Sequence, residues 1–111
     1  MEPRLGAQLW VEAHIRRCWT NNVPAMLVRR GDHMAGVVLL KINRIEDGCT
    51  VLAPATDIHG NRVWFHASGE PWIAEADVDA YIARRLESDP DLWVVEIEDR
   101  EGRHFLDDPV E

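Results

Sequence analysis

AMLVRRGDHMAGVVLLKINRIEDGCTVLAPATDIHGNRVWFHA, from Ala25 to Ala67, holds four short apolar runs separated by turn residues. The runs are Ala25–Arg30, Val37–Arg44, Cys49–Thr56 and Arg62–Ala67. Between them lie Gly31-Asp32, Glu46-Asp47-Gly48 and Asp57-Ile58-His59-Gly60-Asn61, which carry the Gly, Asp and Asn that tight turns favour. Runs of this length rich in Val, Ile, Leu and aromatics predict strands, and the short separators predict a four-strand antiparallel meander. Pro54 cannot donate to a ladder, so its strand is expected to be bulged or short on one side. Alternation places Met26, Val28, Leu39, Val51, Ala53 and Phe65 on one face, interrupted by Arg30 and Lys41. The other face receives Leu27, Val38, Leu40, Ile42, Leu52 and Trp64. Both faces are mostly apolar, whereas a sheet with one solvated face alternates apolar with polar. Two helices must therefore cover one face each, or one face must await a partner.

Helical periodicity appears on either side of this segment. From Leu5 to Trp19, Ala7, Val11, His14, Ile15 and Cys18 share one side, and Thr20-Asn21-Asn22 with Pro24 marks the stop. From Ile73 to Ser88 a stripe runs through Ala74, Val78, Tyr81, Ile82, Arg85 and Leu86, ending at Asp89-Pro90-Asp91. Leu92–Asp99 predicts a strand with Trp93, Val95 and Ile97 on one face. Glu101-Gly102 resembles a hairpin tip returning through His104-Phe105-Leu106. The expected fold class is α+β: N-terminal helix, four-strand antiparallel meander, second helix, and a C-terminal strand or hairpin, with residues 1–111 as a single domain.

Composition narrows the function classes. The 111 residues carry 12 Lys+Arg against 20 Asp+Glu, a net charge of −8, with 46% hydrophobic residues. That balance is too apolar for disorder and too acidic for an electrostatic nucleic-acid binder. The longest aliphatic run, Val37-Val38-Leu39-Leu40, is far below the ~20 residues of a membrane helix. Met1-Glu2-Pro3-Arg4 shows no secretory pattern, so a cytoplasmic location is expected, with Cys18 and Cys49 as reduced thiols. Neither nucleic acid nor membrane is an expected partner, and no cofactor is expected.

Few residue patterns point to chemistry. His14 and Cys18 are spaced i,i+4, but no further ligand pair completes a zinc set, so no metal site is expected. Arg30 and Asp32, with Lys41 and Asn43, gather charged and polar groups on two runs and the turn between them. Lys41 falls on an apolar face, where an unpaired ammonium is costly, so it needs a carboxylate from Glu96 or Glu98. Such a pair could line a pocket for an anionic ligand or move a proton. The plainer alternative is an edge-strand Lys that discourages aggregation. Glu96 and Glu98 share a strand face suited to Mg²⁺, although Arg100 and Arg103 neutralise them more simply. No residue is assigned a catalytic role. Five tryptophans are many for this length; Trp10 lies off the main stripe of its helix and Trp72 precedes the second helix, which makes these two the interface candidates.

LWVEAHIRR at Leu9–Arg17, RRGDHMAGVVLLKINR at Arg29–Arg44 and VDAYIARRLESDPDLWVVEIEDREGRHFLD at Val78–Asp107 together resemble a small, chiefly proteobacterial family, a domain of unknown function of about this length. DPDLWVVEIEDREGRHFLD is the most specific part. The resemblance implies a stand-alone domain and carries over no catalytic residue. Residues and resemblance together favour a non-enzymatic protein-interaction module, a homodimer or accessory subunit. The alternative is a small-molecule or nucleotide-handling enzyme using Lys41 with Glu96 or Glu98.

Overall fold

A computed structural model describes residues 6–111, so the expectations for Met1-Glu2-Pro3-Arg4 and for a helix beginning at Leu5 lie outside the described residues. Helix α1 (Ala7–Thr20) is followed by strands β1 (Ala25–Arg29), β2 (Val38–Asn43), β3 (Cys49–Thr56) and β4 (Arg62–His66). Helix α2 (Glu75–Ser88) and strand β5 (Trp93–Glu98) complete the order. α1 buries Ala7, Val11, His14 and Cys18, the stripe its periodicity predicts. It ends where Asn22 takes a positive φ of 61° and the Val23 N–H reaches back to the Cys18 carbonyl.

The sheet is five-stranded and mixed, in the order β1-β5-β2-β3-β4. β2, β3 and β4 form the expected antiparallel meander, but β1 does not pair with β2. β5 inserts between them, antiparallel to β1 and parallel to β2. The four-strand meander is thus corrected to three strands plus an inserted fourth and an outer fifth. The reason lies in β5 itself: Trp93, Val94, Val95 and Ile97 are all buried, so neither face nor edge of that strand tolerates water. For the same reason no C-terminal hairpin forms. Both edges of β5 are occupied, and His104-Phe105-Leu106 leaves the sheet to cross α1. Pro54 pairs with Trp64 on the β4 side, while β3 pairs with β2 only from Cys49 to Leu52. The missing donor therefore lies beyond the reach of β2.

Each face of the sheet has its own helix. α1 packs with Val38, Leu40, Ile42, Leu52, Trp64 and Trp93. α2 places Val78 and Ile82 over Leu39, Val51, Ala53 and Val94. Between Leu27 and Arg29 the register of β1 against β5 shifts by a bulge at Val28, which reverses the alternation. Arg30 therefore sits on the α1 side, its guanidinium 5.5 Å from the Trp93 ring and 2.9 Å from Gln8 Oε1, away from Lys41.

Candidate functional site

Lys41 occupies the middle of β2, opposite Glu96 of β5 and Val51 of β3 in register, on the face covered by α2. A strand flanked on both sides is no edge, so the aggregation-guard reading of Lys41 does not apply. Its side chain is 7% exposed, and its Nζ donates to Glu75 Oε2 and Asp79 Oδ1, both at 2.7 Å. Glu96 Oε1 stands 3.4 Å away. Asn43, one strand-face position along, donates through Nδ2 to Glu75 Oε2 and Glu96 Oε2 at 3.3 and 3.2 Å. Its Oδ1 accepts from the Ile45 N–H.

The cluster is a cation held by three carboxylates, two of them half-exposed and Glu96 largely buried. Burial disfavours the ammonium, but hydrogen bonds to Asp79 and Glu75 and the Glu96 charge outweigh it and raise the Lys41 pKa. An ammonium held this way is neither a nucleophile nor a base at neutral pH. What it does is anchor α2. The helix has no side-chain N-cap, and Glu75 and Asp79, four residues apart, close onto Lys41 on either side of buried Val78. These two acids were missed in the sequence; the available signal was their i,i+4 spacing around an apolar stripe residue.

The remaining candidates are dispersed. Glu98 stands beside Asn43 in register but makes no side-chain bond to the cluster among the described residues. Asp32 is a turn-maker: its Oδ2 accepts the N–H groups of Met34 and Ala35, which lower its pKa, and its carbonyl accepts the Trp93 indole N–H at 2.6 Å. Gly31 and Gly36 are required beside it, since a Cβ at either would lie 2.2–2.4 Å from the Asp91 carbonyl oxygen. Arg30, Asp32 and the two glycines thus clamp Trp93 rather than joining Lys41. Trp72 is half-buried, under the Arg44 guanidinium at 4.7 Å and within 2.7 Å of a Cβ placed on Gly102, so its ring is taken up internally. Trp10 stacks on His14 at 4.7 Å and on Trp64 at 5.6 Å. Cys18 and Cys49 are buried free thiols whose pKa burial pushes up to about 11. Among the described residues no group of three His, Cys, Asp or Glu side chains is arranged to hold a metal, and no helix is long and apolar enough to cross a membrane.

The two edges of the sheet differ. Along β4, the C-terminal residues add a parallel bridge, Trp64 to Val110. The Trp64 N–H donates to the Pro109 carbonyl and the Glu111 N–H to the Trp64 carbonyl. Along β1, the outer edge has no strand partner among the described residues, and Met26, Leu27 and Val28 are 40, 42 and 55% exposed. Exposed Trp19 lies at one end of this edge, its indole N–H donating to the Ala25 carbonyl.

The sequence profile of a family described as "Protein of unknown function (DUF1491)" matches residues 5–107. A crystal structure of a DUF1491 family protein from Caulobacter crescentus CB15 is 44% identical, with a TM-score of 0.88, covering 97% of this chain and all of that one. An NMR structure of a DUF1491 family protein from the same bacterium is 43% identical, with a TM-score of 0.84 and 99% coverage of each chain. The solution structure of protein Atu0922 from A. tumefaciens, 24% identical over 86% of each chain with a TM-score of 0.73, shares the fold. No curated protein matches the chain.

Proposed function

The chain belongs to the DUF1491 family, and from that premise we propose that it is a non-enzymatic interaction module that dimerises through the open β1 edge. The observation that carries this reading is the contrast between the edges. The C-terminal residues close β4, whereas among the described residues apolar β1 is left open. Edge strands are commonly guarded by Lys, Pro, inward charges or bulges, and of these Met26-Leu27-Val28 carries only the bulge at Val28.

A second copy of the chain fits this edge. Antiparallel pairing about a two-fold axis at Leu27 sets Met26 against Val28 and Ala25 against Arg29. The only charge of each strand then faces Ala25, so two chains of net charge −8 meet without like charges directly opposed. The Trp19 indole takes up the Ala25 carbonyl and so limits the paired stretch at its ends, which favours a closed dimer over an open stack. A Lys41-based enzyme is less well supported, because the ammonium is fully engaged by Glu75, Asp79 and Glu96.

Size-exclusion chromatography with light scattering at micromolar concentration tests the proposal. The expected result is a dimer that Leu27→Lys converts to a folded monomer. A monomeric parent chain, or a dimer indifferent to Leu27→Lys, overturns it.

A further inference from the structure

We propose that residues 104–111 form an acid-released guard of the β4 edge, with His104 as its switch. Trp64 turns its N–H and carbonyl outward from β4, and the guard takes up both, through the Pro109 carbonyl at 2.9 Å and the Glu111 N–H at 2.8 Å. Those two bonds and the half-buried Val110 side chain are what the last three residues bring to the edge. The firmer hold lies upstream. His14 Nε2 donates to the His104 carbonyl, Arg17 Nη1 donates to the Phe105 carbonyl and to Asp107, and Phe105 and Leu106 pack against the core.

His104 is placed to break that hold. Its Nδ1 accepts the Leu106 N–H at 3.0 Å, so a proton on Nδ1 sets donor against donor and leaves the amide without its acceptor. His14 differs, because its Nε2 donates to the His104 carbonyl with or without a second ring proton. The surroundings do not retain the proton on a seated guard. α1 presents His14 and Arg17 to the segment, and β4 presents His66, whose Nδ1 lies 2.8 Å from Thr50 Oγ1. Of the nearby carboxylates, Asp107 is bonded to Arg17 and Asp99 to Arg103, while Asp108 lies with Arg17 beside a small cavity under the segment. Burial first and His66 second hold the His104 imidazole below its ordinary pKa. The lifted segment therefore binds the proton more readily than the seated one, and falling pH draws the equilibrium toward release.

Release leaves the outward groups of Trp64 unpaired in a stretch, Val63-Trp64-Phe65, that carries no Lys or Pro. The parallel bridge from Trp64 to Val110 shows that this edge accepts an extended strand. Once vacated, β4 is a second pairing edge, and its occupant is another copy of the chain. The guard rests on β4 alone; the size of the species formed in acid rests also on the dimer proposed through β1.

Hydrogen exchange and light scattering on the full chain at pH 7.5 and 5.5 test the switch. The comparison is His104→Asn, whose Oδ1 can accept the Leu106 N–H without titrating. In the parent chain, Trp64 amide protection relative to the intrinsic rate should fall about tenfold at pH 5.5, the effect of about one hydrogen bond, while β2 and β5 keep theirs. The mass should rise with concentration at pH 5.5 and return to its starting value at pH 7.5. His104→Asn should match the parent at pH 7.5 and keep both properties at pH 5.5, which separates the switch from the general loss of negative charge in acid. Unchanged Trp64 protection in the parent, lost protection without growth in mass, or an equal acid response in His104→Asn overturns the proposal. A parent that is monomeric at pH 7.5 overturns the β1 dimer instead, and Trp64 protection then decides the guard by itself.

Discussion

A lysine in the centre of a sheet shows how one residue commits its neighbours. Lys41 is stable on β2 only because Glu75, Asp79 and Glu96 converge on it, and those acids in turn depend on its charge. Lys41→Met should therefore destabilise the fold by about 2–3 kcal/mol. That is below the ~3–5 kcal/mol of a fully buried pair, because Glu75 and Asp79 are half-exposed and can turn to water. Glu96 cannot, so adding Glu96→Gln to Lys41→Met should restore roughly half of the loss. Urea unfolding midpoints of the two variants check both numbers, and additive losses would show that Glu96 does not sense Lys41.

At the scale of elements, the segment after β5 acts as a strap held by neutral histidines. A carbonyl only accepts, so His14 Nε2 carries the proton it donates to His104 at 2.8 Å. A backbone N–H only donates, so the Leu106 N–H, 3.0 Å from His104 Nδ1, meets a bare nitrogen. Burial lowers both pKa values. Arg17 adds to the effect at His14 against the opposing His104 carbonyl and Asp107, and His66 adds to it at His104. Both folded-state values thus lie below the unfolded value of about 6.5, and the unfolded chain binds more protons as pH falls past it. Their contribution to stability is complete above that pH and is lost as pH falls from there through the lowered folded values. Amide protection factors, taken relative to the intrinsic exchange rate at each pH, should fall in residues 104–111 between pH 7 and 5 ahead of those in β2 and β5. His14→Gln should flatten part of that dependence; an unchanged profile would place the sensitivity elsewhere.

For the whole molecule, the proposed dimer rests on the asymmetry of the two edges. The Pro109–Glu111 contacts close β4, whereas β1 has no outer strand partner among the described residues. Deleting residues 109–111 should expose a second edge and convert a closed dimer into larger, concentration-dependent species, read by light scattering. A truncated chain that keeps the parent mass at all concentrations would show that these three residues do not guard the edge.

Period and turn chemistry are local properties. They were sufficient to identify both helices, all five strands and the two apolar faces of the sheet, because each is encoded within ten or so neighbouring residues. They also showed that Lys41 needs an acid, since the cost of burying a charge does not depend on the partner's identity. Strand order was not local. A meander and an inserted β5 share the same runs, and only burial of β5 on both faces and both edges distinguishes them. The same long-range choice brought Glu75 and Asp79, more than thirty residues away, onto Lys41. A single bulge at Val28 sent Arg30 to the opposite face, a displacement of one residue that alternation alone does not register. Tertiary structure decided these matters because pairing energies are summed over the whole sheet, whereas periodicity is felt one element at a time.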